Sequence, residues 1–200
     1  MKIIDISRDL FNTEIYPGDP VPHAEFVRFI DDCSDCNLST LFTCVHTGTH
    51  ADAPLHFIDD GASIDEVPLE PFIGPCRVIE VPAGAVTGED INETFPQNCE
   101  RILIKGGSQA YFLGNAAEEL AAMGIKLIGT DALSVGTKGM QTAPHKAFLG
   151  SGIAVLEGLD LSGVEPGDYY LFAAPIKLGG LEGAPVRAVL VSDYIFWSKS

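Results

Sequence analysis

Positive charge is scarce in this chain of 200 residues: 12 Lys and Arg stand against 28 Asp and Glu, for a net charge of −16. Neutralising nucleic-acid phosphates takes a cationic face, so this balance excludes a nucleic-acid partner and disfavours an anionic membrane surface. No apolar run approaches the roughly 18–20 residues that a membrane span requires. The opening Met1-Lys2-Ile3-Ile4-Asp5 has no basic stretch leading into an apolar one, as a secretion signal would. A cytoplasmic location is the expectation. Cysteines number five, an odd count with irregular spacing, which argues against a disulfide framework. Cys33 and Cys36 form a C-x-x-C pair, but no second pair stands at zinc-ribbon spacing, so they read as free thiols in a polar loop; Cys44, alternating with apolar residues, reads as a core thiol. Low-complexity linkers, charge blocks and internal repeats are also missing. Residues 1–200 are therefore expected to form one domain, and 46% hydrophobic content is enough for a substantial core.

Histidine, by contrast, is concentrated. Three of the five histidines and an aspartate fall in the run His46-Thr47-Gly48-Thr49-His50-Ala51-Asp52-Ala53-Pro54-Leu55-His56. Imidazole and carboxylate are ligands that Zn²⁺ and Mn²⁺ accept, and three protein ligands with an open position make a catalytic metal site that activates water. The H-x-x-x-H spacing could lie on a helical turn, as in zinc proteases. Gly48 and Pro54 break any helix, however, and Thr47 stands where that motif has its glutamate. The better reading is a strand that ends at His46 and enters a tight loop turning His46, His50 and Asp52 towards one point, with Pro54 stiffening the chain so that His56 faces the same site.

Short β-type runs are expected at residues 2–7, 25–30, 38–46, 77–81, 101–105, 126–129, 153–156, 168–173 and 185–191, with glycine and proline punctuating the gaps. Several are continuously apolar, as in strands covered on both faces. One Ala-rich helix is predicted over 115–123, ending at Gly124; it links 101–105 to 126–129 in a unit that can pair those strands in parallel. A shorter helix is predicted over 145–149. The fold class is a β-rich α/β domain.

The run His46-x-Gly48-Thr49-His50-x-Asp52-x-Pro54-x-His56-Phe57 resembles the signature of the cyclase-like metal-dependent hydrolases, a family that includes bacterial kynurenine formamidase and isatin hydrolase. The likeness continues through Tyr16-Pro17-Gly18-Asp19, Gly129-Thr130-Asp131-Ala132-Leu133-Ser134-Val135, His145, the stretch from Ile153 to Leu159, Pro166-Gly167-Asp168-Tyr169 and Ala184-Pro185-Val186-Arg187-Ala188. The resemblance implies a swivelling β/β/α fold and a first metal site of His46, His50 and Asp52. It implies a second site of Asp52, His145 and Glu157, with Asp52 bridging, and His56 as the catalytic histidine. Glu157, as a carboxylate with two oxygens, could hold metal and also steer the attacking water. One or two Zn²⁺ or Mn²⁺ ions per chain, a small-molecule substrate and a homodimer or homotetramer follow as expectations.

The implied activity is metal-dependent hydrolysis of a C–N bond in a small amide, aryl formamides such as N-formylkynurenine being the model substrate. Two alternatives stand beside it: a lactone or lactam ring hydrolase or cyclase using the same metal site, and a non-catalytic metal- or ligand-binding protein. Gly136-Thr137 departs from the acidic residue that relatives often carry, and Tyr111-Phe112 with residues 11–16 does not reproduce an aromatic cage, so the substrate is less defined than the metal site. Arg187 reads as a structural ion-pair partner, His23 as a solvated histidine, Gly106-Gly107-Ser108 as a turn without a phosphate-loop pattern, and Gly179-Gly180 as a turn.

Overall fold

The computed structural model describes residues 1–31 and 33–193. From the N-terminus the chain forms β1 (Lys2–Asp5), β2 (His23–Arg28), β3 (Leu38–Phe42), β4 (His50–Asp52), β5 (Ile73–Glu80), β6 (Gly84–Val86) and helix α1 (Gly88–Thr94). It continues with β7 (Arg101–Lys105), β8 (Ala110–Phe112), α2 (Gly114–Ala122), β9 (Leu127–Thr130), α3 (Thr142–Gly150), β10 (Ala154–Glu157), β11 (Gly167–Phe172), β12 (Gly183–Pro185) and β13 (Val189–Ser192). Nine strands make one mixed sheet in the order β1-β13-β11-β5-β7-β9-β10-β4-β12, while β2 pairs with β3 and β6 with β8.

The middle of the sheet, β5-β7-β9-β10, is parallel, and antiparallel strands extend it on both sides. Parallel strands are covered on both faces and so read as near-continuous apolar runs. Here Ile102, Ile104, Ile128 and Val155 point to one face and meet Leu120 of α2 and Phe148 of α3. Leu103, Leu127 and Leu156 point to the other face, following the two-residue alternation of a strand.

Among the described residues no α-helix contributes to the cluster on that second face. It is closed by the sheet's own flanks, because Ala51 of β4 and Ala184 of β12 share one buried cluster with Leu171 of β11 and Leu190 of β13, from the opposite side. The curl is also visible in connectivity. Only residues 186–188 separate β12, at one end of the strand order, from β13, next to the other end. A single expected strand over 185–191 is therefore two strands, with Ile6 donating from its N–H to Ala188 O at 3.0 Å in the crossing.

Other boundaries also differ from expectation. The strand predicted over 38–46 stops at Phe42, so Cys44 lies outside it, half-buried, its thiol 3.8 Å from Asp19 Oδ2 rather than in the core. The predicted helix at 145–149 runs Thr142–Gly150, and the one at 115–123 runs Gly114–Ala122 with Gly124 at φ +78° just beyond it. Helix α1 was not anticipated, although Thr87 and Asp90 form a reciprocal capping box at its start. The expected ion pair of Arg187 is present, its guanidinium gripping the Asp5 carboxylate.

Gly158 closes the turn after β10 at φ +66°, where a Cβ would stand 2.2 Å from Gly48 O. The obstacle is backbone of the histidine-rich loop, so it cannot swing aside as a side chain would. Gly158→Ala is expected to lose at least about 2 kcal/mol, combining the left-handed penalty with the clash. Thermal unfolding should show a midpoint lowered by at least about 4 °C; an unchanged midpoint would mean that the turn and loop are not held in register.

Candidate metal centre

The central surprise is that the histidine-rich run is not wholly loop. His50-Ala51-Asp52 is β4, a buried strand paired with β10 on one side and β12 on the other. Alternation sends Ala51 into the core and turns His50 and Asp52 together to the face that α3 covers. Across the ladder, Glu157 of β10 lies directly opposite His50 and joins them on that face. Gly48, at φ +70°, makes the tight turn into β4. The hydroxyl of Thr49 accepts from Arg8 N–H at 2.9 Å and donates to Gly158 O at 2.6 Å, stitching that turn to the end of β10.

The remaining histidines arrive from two other elements. His145 lies on the buried stripe of α3 with Phe148 and Leu149, the i, i+3, i+4 spacing of one helical face. His56 ends a 3-10 turn, Pro54–His56, started by Pro54 at its first position. Its ring stacks on His46 with centroids 4.0 Å apart.

Asp52 is the hub. Its Oδ1 is 3.0 Å from His46 Nδ1 and 3.5 Å from His50 Nε2, and its Oδ2 is 3.5 Å from His145 Nε2. Glu157 sits beside it, Oε1 accepting from Val135 N–H at 2.7 Å and lying 3.1 Å from His145 Nε2, with Oε2 3.4 Å from His50 Nε2. Two backbone carbonyls orient the imidazoles: Gly48 O is 3.0 Å from His50 Nδ1, and Gln141 O is 2.7 Å from His145 Nδ1. Both carbonyls require a proton on Nδ1, which turns each Nε2 towards the two carboxylates, as the outer hydrogen bonds of metal-ligating histidines do.

Burial works against every charge here. It would raise Asp52, but His145 and His46 draw that carboxyl far below its ordinary range. Burial would lower His50 and His145, yet the facing Glu157 and Asp52 push them up to about 9 and about 10. Two buried carboxylates thus demand compensating positive charge, which protons or a cation can supply. His46 Nε2, His50 Nε2 and Asp52 Oδ2 are moreover buried without a hydrogen-bond partner. Buried polar atoms are almost always satisfied, and these are atoms of the kind that ligate cations. The donor set therefore fits a divalent metal. Two groups have mutually close donor atoms: His50, Asp52 and Glu157, and His46, Asp52 and His56. All six residues singled out in the sequence converge, with His56 nearer to His46 and Asp52 than its expected unliganded role suggests.

A cavity of about 180 Å³ opens over these groups, lined also by Tyr16, Asp19, Phe57, Leu133 and Ser134. A second of about 390 Å³ adjoins it, sharing Tyr16, Leu133 and Ser134 and adding Tyr111 and Lys138. Sequence reasoning did not single out Glu182, whose Oε1 is 3.6 Å from His46 Nε2, or Gln141. Gln141 could have been found as the residue one helical turn before His145; Glu182 had only its place ahead of the Ala184-Pro185 stretch.

The putative cyclase family profile matches residues 4–137. The chain is 41% identical over 206 residues to a kynurenine formamidase of Salinibacter ruber, covering 95% of this chain and 97% of the relative. It is 37% identical over 203 residues to a kynurenine formamidase of Sphingopyxis alaskensis, covering 94% and 97%. A solved structure described as a potential metal-dependent hydrolase with cyclase activity superposes with TM-score 0.82 at 29% identity, covering 94% of this chain and 96% of that one.

Thr49→Val tests how the turn supports these donors. The substitution keeps the shape but strands Arg8 N–H and Gly158 O, so it should cost about 1–3 kcal/mol per group left unpaired. Chemical denaturation is the measurement, and a stability equal to wild type would show that the stitch is not needed.

Proposed function

Because the chain belongs to the putative cyclase family, we propose that it is a metal-dependent hydrolase of a C–N bond in a small amide, with aryl formamides as its substrate class. The observation that carries this reading is Asp52, a buried carboxylate facing three histidines beside unpartnered Nε2 and Oδ2 atoms. By likeness to the family we assign His46, His50 and Asp52 to one divalent cation, and Asp52, His145 and Glu157 to a second where two ions bind, although the donors that stand mutually close are grouped as His50, Asp52 and Glu157 and as His46, Asp52 and His56. Zn²⁺ and Mn²⁺ both suit the mixed nitrogen and oxygen donors. Bound there, a divalent cation supplies an acidified water and polarises a carbonyl oxygen.

The chain's own groups supply the rest. Among the described residues no hydrogen bond ties the His56 ring, which lines the cavity half-buried. Burial lowers its proton affinity, so near neutral pH it is free to take a proton from the attacking water and hand it to the departing nitrogen. Glu157 is pinned through Oε1 by Val135 N–H, leaving Oε2 on the donor side to orient water. The small inner cavity suits a one-carbon acyl group, and the wider adjoining one, with Tyr16 and Tyr111, suits an aromatic remainder. No helix among the described residues is long and apolar enough to cross a membrane, and we read the enzyme as a cytoplasmic one acting on a small molecule.

Two variants test the assignment when elemental analysis and turnover are measured together on protein purified without added metal. Asp52→Ala is expected to lose stoichiometric metal; full retention would refute its place at the hub. His56→Ala is expected to keep its metal and lose about 10²–10⁴-fold in turnover of an aryl formamide. Wild-type turnover in that variant would remove His56 from the reaction, and loss of metal would make it a ligand instead. Offered a panel of aryl formamides, lactams and lactones, the wild-type protein should turn over the formamides fastest; preference for a ring substrate would overturn the substrate class.

A further inference from the structure

The inner cavity holds one carboxylate that the metal assignment leaves unused. Asp19 lines it beside the histidines and Glu157 but belongs to neither group of close donors. A tight turn brings it there. Asp19 N–H donates to Tyr16 O at 3.0 Å, with Pro17 and Gly18 between them and Gly18 at φ +111°. Proline followed by a left-handed glycine is the pattern of a type II turn. Both ends of the turn, Tyr16 and Asp19, line the cavity.

This carboxylate is short of donors. Asp19 is half-buried, and among the described residues its side chain has a single hydrogen-bond partner, the Cys44 thiol at 3.8 Å from Oδ2. No Lys or Arg among the described residues forms an ion pair with it. A thiol is a weak donor, whereas an ionised carboxylate accepts at about four lone-pair sites. The other polar groups of the cavity differ. Ser134 Oγ accepts from Gly136 N–H and Gln141 Nε2, both at 3.3 Å, and the Tyr16 hydroxyl can donate as well as accept. Outside the histidines and Glu157, Asp19 is the one lining side chain that can only accept.

We propose that Asp19 accepts the N–H of the substrate amide and selects nitrogen over oxygen in the departing group, a role that rests on the reading of the site as an amide hydrolase. Size places the nitrogen near it. At about 180 Å³ the inner cavity is smaller than the about 300–1,000 Å³ of ordinary ligand pockets, so a one-carbon acyl group and its attached nitrogen fill it together. Tyr16, at the other end of the turn, also lines the wider cavity. The turn therefore stands at the passage between acyl and aryl portions, where the nitrogen lies.

Charge gives the selection. In hydrolysis a water oxygen adds to the carbonyl carbon, and the C–N bond breaks with its electron pair going to nitrogen, which takes the proton assigned to His56. Asp19 transfers no proton. As the carbon becomes tetrahedral, nitrogen loses its conjugation, and positive charge builds on it with the incoming proton. The hydrogen bond to a carboxylate strengthens as that charge builds, a gain made in the transition state more than in the bound substrate. An ester reverses the sign. It offers no N–H, and its oxygen departs with negative charge building towards a carboxylate.

Formanilide and phenyl formate, which differ only in N–H against O, provide the test. Their kcat/KM values, corrected for uncatalysed hydrolysis, are compared in wild type and Asp19→Asn, with elemental analysis of both proteins. Losing a hydrogen bond to a charged group should lower the formanilide-to-phenyl-formate ratio about 10–100-fold in the variant, with metal content unchanged. A role confined to structure would lower both substrates together and leave the ratio alone. N-Methylformanilide, which has no N–H, covers a variant that misfolds: wild type should cleave it about 10–100-fold more slowly than formanilide. An unchanged ratio, loss of metal in Asp19→Asn, or wild type that accepts the N-methyl compound as readily as formanilide would overturn the role of Asp19. Wild type that cleaves phenyl formate but not formanilide would instead overturn the amide reading beneath it.

Discussion

The burial of the Asp52 carboxylate among imidazoles is the constraint around which this molecule is organised. Moving a carboxylate out of water costs several kcal/mol even after relaxation, and here two such groups, Asp52 and Glu157, are buried side by side. Neither a lone histidine nor a lone proton balances that arrangement. The site therefore demands concentrated positive charge, and four histidine rings supply the donors through which it can be held. His50 and His145 are each oriented by a backbone carbonyl, so the convergence of their Nε2 atoms is a property of the fold and not of chance rotamers.

The sheet makes that convergence possible. A three-residue strand inserted between β10 and β12 is long enough to place two donors on one face and anchor the residue between them in the core. The register then brings Glu157 opposite His50 without any further device. Helix α3 packs over the same face through Phe148 and Leu149, which delivers His145 with it. The curl of the sheet buries the reverse side of β4, so a short strand that would be weak at an edge is fixed from both sides.

Much of this was legible in the sequence, and the illegible part has a physical reason. Strands 101–105 and 126–129 and the helix between them announce themselves through apolar content and Gly124, because they lie in the parallel centre where both faces are buried. Convergence of His46, His50, Asp52 and His56 was inferable from their residue types and close spacing, whereas His145 and Glu157 were joined to them only through the family resemblance. The strand character of His50-Ala51-Asp52 was not, although its polar-apolar-polar alternation is that of a half-buried strand. Gly48 and Pro54 flank it closely, and such punctuation reads as loop. A segment this short becomes a strand only because β10 and β12 pair with it, a non-local condition. The split between β12 and β13 was hidden for the same reason, since nothing in residues 185–191 records that the sheet curls back on itself.

The labour is divided between rigid and loop segments. His50, Asp52, Glu157 and His145 are held on strands and a helix, where position is set by ladders and packing. The groups lining the rest of the cavity come from connections: Tyr16 and Asp19 from the segment between β1 and β2, Leu133 and Ser134 from that after β9. Connections tolerate change that ladders do not. Altering them reshapes what the cavity admits while leaving the charge balance around Asp52 intact. The charge balance around Asp52 is thus written into the sheet, and the shape of the cavity into the segments that rim it.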